Sequence, residues 1–438
     1  MNLENLLEMF AAHRCQKIYV KRLSPNDNSK NQVYLGGSFE TVNIFPFMDI
    51  ISEEPGNNVR TRFKAKLNFG WLTDDGNLSL APTAQLILYP KYPEVRFSGF
   101  LQGSPNAPND LMTQRTDGRL LFLGVADYPI ILGYVTAPDS QIAGEFEARR
   151  DLDSTGVFKI LATNEHQTGS NARLRLLTEL RRIHRAGWID SKRFDSGRGL
   201  LPCESSNCGG YTLEAELGIS SNGFAEPDYL GWEVKQFATR TFDSLGASVI
   251  TLMTPEPTGG YYKTEGAAAF VMKFGYADKM GRADRMNFGG VHRTNVQHAT
   301  TKLTLNLLGF DAESTKITDS DGAIALADAK GAIAASWSFS SLLLHWNRKH
   351  AKAAYIPSMM QTAPKRRYAY GNKIILGNGT DFMLFLKQMQ LGHLYYDPGI
   401  KLEQMSSAPK LKRRSQFRIK SSHLQNLYHQ NEIVNLET

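Results

Sequence analysis

Hydrophobic and polar positions change their period once along this chain. Through the first 160 or so residues they alternate over short segments, at 32–35, 60–69, 85–89, 96–100, 120–125 and 130–135. Turn-forming clusters at 24–30, 54–58, 74–77 and 103–110 separate them. Short alternating runs between such clusters predict strands, and many of them in succession predict a barrel or sandwich.

Past Ala162 the period lengthens. Leu174, Leu177, Leu180 and Ile183 recur at helical spacing within 171–186, with Arg173, Arg175, Arg181, Arg182 and Arg185 on much of the remaining surface. Such a face is either solvated or set against phosphate. Beyond it helical and strand patterns intermix. We place the boundary in the charged, Ser-, Thr- and Gly-rich stretch 145–169. The expectation is two domains, a β-rich, barrel-like one over 1–165 and an α/β one over 166–438.

Within the second domain Thr212 is placed to cap a short helix through Leu217, which Gly218 ends. Asn222 and Gly223 supply a turn, and Pro227-Asp228 leads into a strand that carries Glu233 and Lys235. The Phe310–Ser336 region, with a turn from Thr318 to Gly322, reads as a hairpin. Its Asp319-x-Asp321-Gly322 lacks the later ligands of a calcium loop.

Composition narrows the class without fixing it. A length of 438 residues fits two domains, and 42% hydrophobic with 21% charged residues fits a chain that buries a full core. A net charge of +7 favours a polyanionic partner. No apolar run is long enough to span a bilayer, so no membrane partner is expected. Glu4 and Glu8 stand where a signal peptide carries basic residues, which makes a cytoplasmic location the expectation. Three cysteines fit a reducing compartment, and Cys203 and Cys208 lack the nearby His or Cys that a zinc site needs.

Residues two apart in a strand share a face. Glu233 and Lys235 therefore point one way, Trp232 and Val234 the other, into a core, and Asp228 can reach the charged side. Two carboxylates and an ammonium on one sheet edge suit phosphodiester hydrolysis. Mg²⁺ takes hard oxygen ligands and keeps several waters, so Asp228 and Glu233 with a phosphate oxygen suffice to hold it. Lys235 can orient the attacking water and stabilise developing charge. Alternating charges also occur on ordinary solvent-facing strands, so spacing alone leaves both readings open.

The surrounding run resembles the MvaI/BcnI family of restriction endonucleases, relatives of the mismatch-repair nickase MutH. It comprises Gly210-Tyr-Thr-Leu-Glu214, Leu217-Gly-Ile219 and Pro227-Asp-Tyr-Leu-Gly-Trp-Glu-Val-Lys235. The resemblance implies a PD-(D/E)xK nuclease fold with a central mixed sheet and a catalytic set of Glu214, Asp228, Glu233 and Lys235. Asp228 and Glu233 would hold Mg²⁺. Glu216 lies nearly across the helix from Glu214, which leaves Glu214 facing the site. Trp232 and Val234 stand where the family usually has Ile or Leu. The segment from Val249 to Pro257 resembles the strand and loop after the family's lysine. The segment from Ser415 to Lys420, with Leu424, Leu427 and Tyr428, resembles its C-terminal block.

Double-stranded DNA is the implied partner, cut at a short site such as CC-x-GG; the catalytic domain resembles monomeric enzymes, and the oligomeric state stays open. Lys410, Lys412, Arg413, Arg414, Arg418 and Lys420 form the densest basic cluster, in which Phe417 and Ile419 alternate with Arg418 and Lys420. Lys412, Arg413, Arg414, Arg418 and Lys420 are the candidate DNA contacts. Arg418 matches the family's Arg and is either a base reader or a phosphate or ion-pair partner. Lys365, Arg366 and Arg367 form a second cluster, read as phosphate-binding or solvated. In the first domain the stretches 21–27, 86–89 and 94–99 resemble the B3-like effector domain of EcoRII-type enzymes, which implies a DNA-binding or effector module. A nickase or effector with a sensing domain, and a DNA-binding protein with a degenerate nuclease fold, are the competing readings.

Overall fold

The computed structural model describes residues 1–25, 32–37, 39–53, 62–91, 94–126, 130–150, 152–162, 169–219, 228–243, 245, 248–406 and 408–437. The chain forms two compact units, Met1–Arg173 and Leu174–Thr438. Asn26, Asp27, the turn at 54–58, the Asn222–Gly223 turn and Pro227 fall outside the described residues.

The first unit is strand-rich, with two sheets. One has seven strands in the order Ser154–Thr155, Phe158–Ala162, Cys15–Arg22, Leu120–Ala126, Ile131–Thr136, Phe69–Leu72 and Leu78–Leu80. The other runs Gln32–Gly36, Glu94–Ser98, Gln85–Tyr89, Arg62–Lys66, Ile50–Glu53, antiparallel throughout. The unit is strand-rich as expected, and among the described residues its two sheets share no hydrogen-bonded edge. The alternating run at 60–69 divides between them, because the chain leaves one sheet after Lys66 and enters the other at Phe69.

Two helices cover a face of the seven-stranded sheet. Helix Leu3–Ala12 buries Leu3, Leu6, Leu7 and Phe10, and helix Gln141–Ala148 buries Ile142, Ala143 and Phe146, all packed with Ile18, Val20, Phe122 and Leu132. The first starts at Asn2, whose side chain accepts from the Asn5 amide at 2.8 Å, and the second at Ser140 in the same way.

The second unit centres on a mixed sheet. Its long strand Lys352–Gln361 pairs in parallel with Glu233–Ala238 and antiparallel with Arg367–Tyr370 and Lys373–Asn378. Ile189–Asp190 and Gln430–Asn435 lie at the outer ends of its main path. Helix Gly169–Arg185 packs Leu176, Leu177, Leu180 and Ile183 against this sheet's core. Leu174, predicted on that stripe, is 62% exposed, and Leu176 takes its place.

Three local expectations change. Helix Cys208–Glu216 starts four residues before Thr212, which lies buried inside it. The Thr212 hydroxyl donates to the Lys192 carbonyl and accepts from its amide, so it ties the helix to a neighbouring strand instead of capping it. Cys203 and Cys208, expected as free thiols, are joined in a disulfide within the core. The 310–336 region contributes a small pair, Phe310–Asp311 with Lys316–Ile317, and strands Ala323–Ala327 and Ile333–Ser338, which form a three-stranded sheet with Thr304–Leu308. The Thr318–Gly322 segment is a turn, closed by the Gly322 amide on the Asp319 carbonyl at 3.2 Å.

Candidate active site

The spacing between Asp228 and Glu233 is set by a tight turn. Tyr229 and Trp232 exchange backbone hydrogen bonds of 2.9 and 2.8 Å around Leu230 and Gly231, which have φ of +47° and +81°. Two successive positive φ values are the demand of a type I′ turn. The turn folds Asp228 back, so that its Oδ2 accepts from the Val234 amide at 3.1 Å. From Glu233 the chain enters the sheet beside the long strand, with Glu233 opposite Ala353 and Lys235 opposite Tyr355.

Trp232 and Val234 pack into the apolar core, leaving Glu233 and Lys235 on the other face. Glu233 is 1% exposed; its Oε1 lies 2.8 Å from Lys235 Nζ and 3.5 Å from Lys349 Nζ. Its other oxygen, Oε2, is buried with no hydrogen-bond partner among the described residues. Burial and the adjacent Glu233 carboxylate push Asp228 up to about 6, against the pull of the Val234 amide and Lys349. Glu214 is also raised, by burial and then by Asp228, with Lys235 and Lys349 opposing. Three carboxylates therefore crowd one face with two ammonium groups.

Glu216 takes no part. Its carboxylate binds Lys192 and, at 3.0 Å, Arg182; burial raises its pKa, but these bonds outweigh that and leave it lowered. The two glutamates thus face different surroundings, two residues apart on one helix.

Lys349 and His345 are residues the sequence reasoning missed. Helix Phe339–His350 runs directly into the long central strand. Residues four apart share a helix face, which aligns His345 with Lys349. Burial lowers the His345 pKa, with further lowering from Lys349 and Lys235. His350, fully buried, stacks on Trp346 and donates from Nε2 to the Leu252 carbonyl at 3.2 Å. Helix Phe339–His350 carries four basic residues, His345, Arg348, Lys349 and His350, so no local pattern singled out these two.

The residues fit a divalent cation of the hard-oxygen type. A buried carboxylate next to a carboxyl with a raised pKa is an arrangement that a cation would relieve. Among the described residues no three His, Cys, Asp or Glu side chains gather into a metal cage. Asp228 and Glu233 are the carboxylates here that could act as donors to such an ion.

The C-terminal basic segment is less uniform than its sequence. Phe417 and Ile419 are buried and Lys420 is exposed, on a strand between Val249–Met253 and Leu394–Tyr396. Arg418 donates from Nη1 to Asp397 Oδ2 at 2.6 Å, while its buried Nε has no hydrogen-bond partner among the described residues. Lys412 pairs with Glu403 at 2.8 Å, and Arg413 and Arg414 are exposed. In the second cluster Lys365 binds Asp190, Arg366 the carbonyls of Glu204 and Ser205, and Arg367 the side chain of Gln361.

A sequence model of the MvaI/BcnI restriction endonuclease family matches residues 177–428, more than half of the chain. Among solved structures, restriction endonuclease MvaI in complex with cognate DNA is 18% identical. That alignment covers 62% of this chain and 100% of that one, with a TM-score of 0.45. The same enzyme in the absence of DNA gives 17%, 61%, 99% and 0.34. No curated protein matches the chain.

Proposed function

Since the chain belongs to the MvaI/BcnI restriction endonuclease family, and so is a DNA-cleaving type II restriction enzyme, we propose that it hydrolyses double-stranded DNA with Mg²⁺ at a short specific sequence. Asp228, Glu233, Lys235 and Glu214 form its catalytic centre. The observation that carries this reading is the Glu233 carboxylate, buried with one oxygen on Lys235 and with the Asp228 carboxyl next to it, raised to about 6 by burial and then by Glu233. An exposed strand with an ordinary Glu–Lys face would bury neither.

Asp228 and Glu233 are the protein ligands of the ion. When bound, Mg²⁺ supplies charge neutralisation at the attacked phosphate and a more acidic water. Lys235, held in place by Glu233, orients the attacking water and stabilises the charge that develops on the phosphate oxygens. Glu214, with its raised pKa, is suited to exchanging a proton near that water. Val234 and Trp232 anchor this face to the core, which fixes the geometry.

Arg413, Arg414 and Lys420, exposed at the C-terminal segment, are suited to phosphate contacts; Lys412 joins them on release from Glu403. Arg418 is suited to reading a base edge, oriented by Asp397. A CC-x-GG-like target is the proposed class of site, and the first unit is proposed as a DNA-binding or effector module. The test is incubation of the protein with unmethylated phage DNA in Mg²⁺ and in EDTA. Discrete fragments with Mg²⁺ alone support the reading. A smear, nicked circles only, or binding without cutting would each replace it with one of the competing activities.

A further inference from the structure

We propose that the first unit holds a binding site of its own for a single phosphate-bearing nucleotide unit, built from none of the nuclease residues. A cavity of 310 Å³ is lined by Val20, Arg22, Phe146, Glu147, Arg149, Leu152, Val157 and Lys159. The strand register explains why these side chains meet. Val20 pairs with Lys159 across the antiparallel strands Cys15–Arg22 and Phe158–Ala162. Positions two apart in a strand share a face, so Arg22 joins them, and Val157 comes from the turn that leads into Phe158–Ala162. Helix Gln141–Ala148 packs on that face and delivers Phe146 and Glu147, and the chain after it adds Arg149 and Leu152.

The lining has two kinds of surface. Val20, Phe146, Leu152 and Val157 are apolar; Val20 and Phe146 belong to the core, and Leu152 is packed against it. The charged part holds three cations and one carboxylate, Glu147, which already bonds Arg22. Glu145, the acid that interacts with Arg149, is itself occupied by the Leu3 amide at 2.7 Å and the Gln141 side chain at 2.8 Å. The excess is positive, and Arg149 and Lys159 are exposed enough to meet an incoming anion.

An apolar floor beside an unbalanced cationic rim fits an amphipathic anion. The volume lies at the lower end of small-molecule sites, which start at about 300 Å³. It admits one nucleotide and no duplex. A base has an apolar face to lay on Val157 and Leu152, the lining apolar residues that keep exposed surface, and its phosphate suits Arg149, Lys159 and the Arg22 guanidinium. Free mononucleotides and one nucleotide of a DNA strand share that chemistry.

The test is calorimetric titration of the full chain in EDTA with deoxynucleoside 5′-monophosphates, inorganic phosphate and a single-stranded oligonucleotide. The proteins compared are wild type, R149A/K159A and K235A. At least one nucleotide probe is expected to bind, at least tenfold tighter than phosphate alone. R149A/K159A should weaken that binding tenfold or more with an unchanged unfolding midpoint, and K235A should leave it unchanged. Mononucleotide binding would identify a free ligand; an effect confined to the oligonucleotide would identify a DNA strand. No nucleotide binding at millimolar concentration, binding indifferent to R149A/K159A, or phosphate binding as tightly as the nucleotides would each overturn the proposal.

Discussion

Two lysines share one buried carboxylate, and a double-mutant cycle reads the consequence. Lys235 Nζ lies 2.8 Å and Lys349 Nζ 3.5 Å from Glu233 Oε1, with lysine side chains 17% and 26% exposed. At an effective dielectric near 20 these separations correspond to gross attractions of about 6 and about 5 kcal/mol. Neither is a net contribution, but the ratio is informative: either lysine retains most of the compensation when the other is removed. Breaking a lone buried pair costs about 3–5 kcal/mol. Lys235→Met and Lys349→Met should therefore each cost less, about 1–2 kcal/mol, because the remaining ammonium still faces Glu233. The double substitution leaves Glu233 buried beside Asp228 with neither lysine, and should exceed the sum of the singles by about 1 kcal/mol or more. The assay is guanidinium unfolding in EDTA at pH 8, which keeps metal from masking the effect. Additive losses, or singles that each cost a full buried-pair penalty, would refute the shared-carboxylate account.

Other consequences are read separately. Gly231→Val places a β-branched residue at φ +81°, so the Tyr229–Trp232 turn should loosen at a cost of about 2 kcal/mol or more, with cleavage falling in parallel; unchanged unfolding and activity would count against the turn's role. Glu214→Ala should abolish cleavage and Glu216→Ala should keep it while lowering stability, since only Glu216 is tied to Lys192 and Arg182; the reverse pattern in a plasmid-cutting assay would exchange their roles. His292, wholly buried between the Gly290 carbonyl and the Thr301 hydroxyl, has its pKa lowered to about 4, by burial and then by His298. Because this lies below the unfolded value near 6.5, the unfolded chain takes the proton first: stability is intact above pH 6.5 and falls between 6.5 and 4. By pH 5 the loss from this group is about 2 kcal/mol, and His292→Gln should flatten the slope of unfolding free energy against pH.

The chemistry was more legible than the scaffold. Asp228, Glu233 and Lys235 could be placed together because strand alternation is a local rule, and Trp232 and Val234 obey it. The intervening turn was also local, although Leu230 at positive φ is a choice that composition does not advertise. Lys349 and His345 were not legible, since they reach the site through a helix whose strand is a neighbour only in the folded sheet. The Arg418–Asp397 pair and the Thr212 contact to Lys192 are likewise products of tertiary pairing. In the first unit, helices Leu3–Ala12 and Gln141–Ala148 escaped a reading tuned to strands because each offers only two or three turns of amphipathic pattern.

Cleavage of phage DNA by Lys235→Ala, measured beside wild type in saturating Mg²⁺ with duplex binding recorded in the same buffer, tests the catalytic assignment most directly. The account predicts discrete fragments from wild type and none from the variant, with DNA binding changed by less than about threefold, under 1 kcal/mol. A Lys235→Ala protein that binds and cuts like wild type would contradict it.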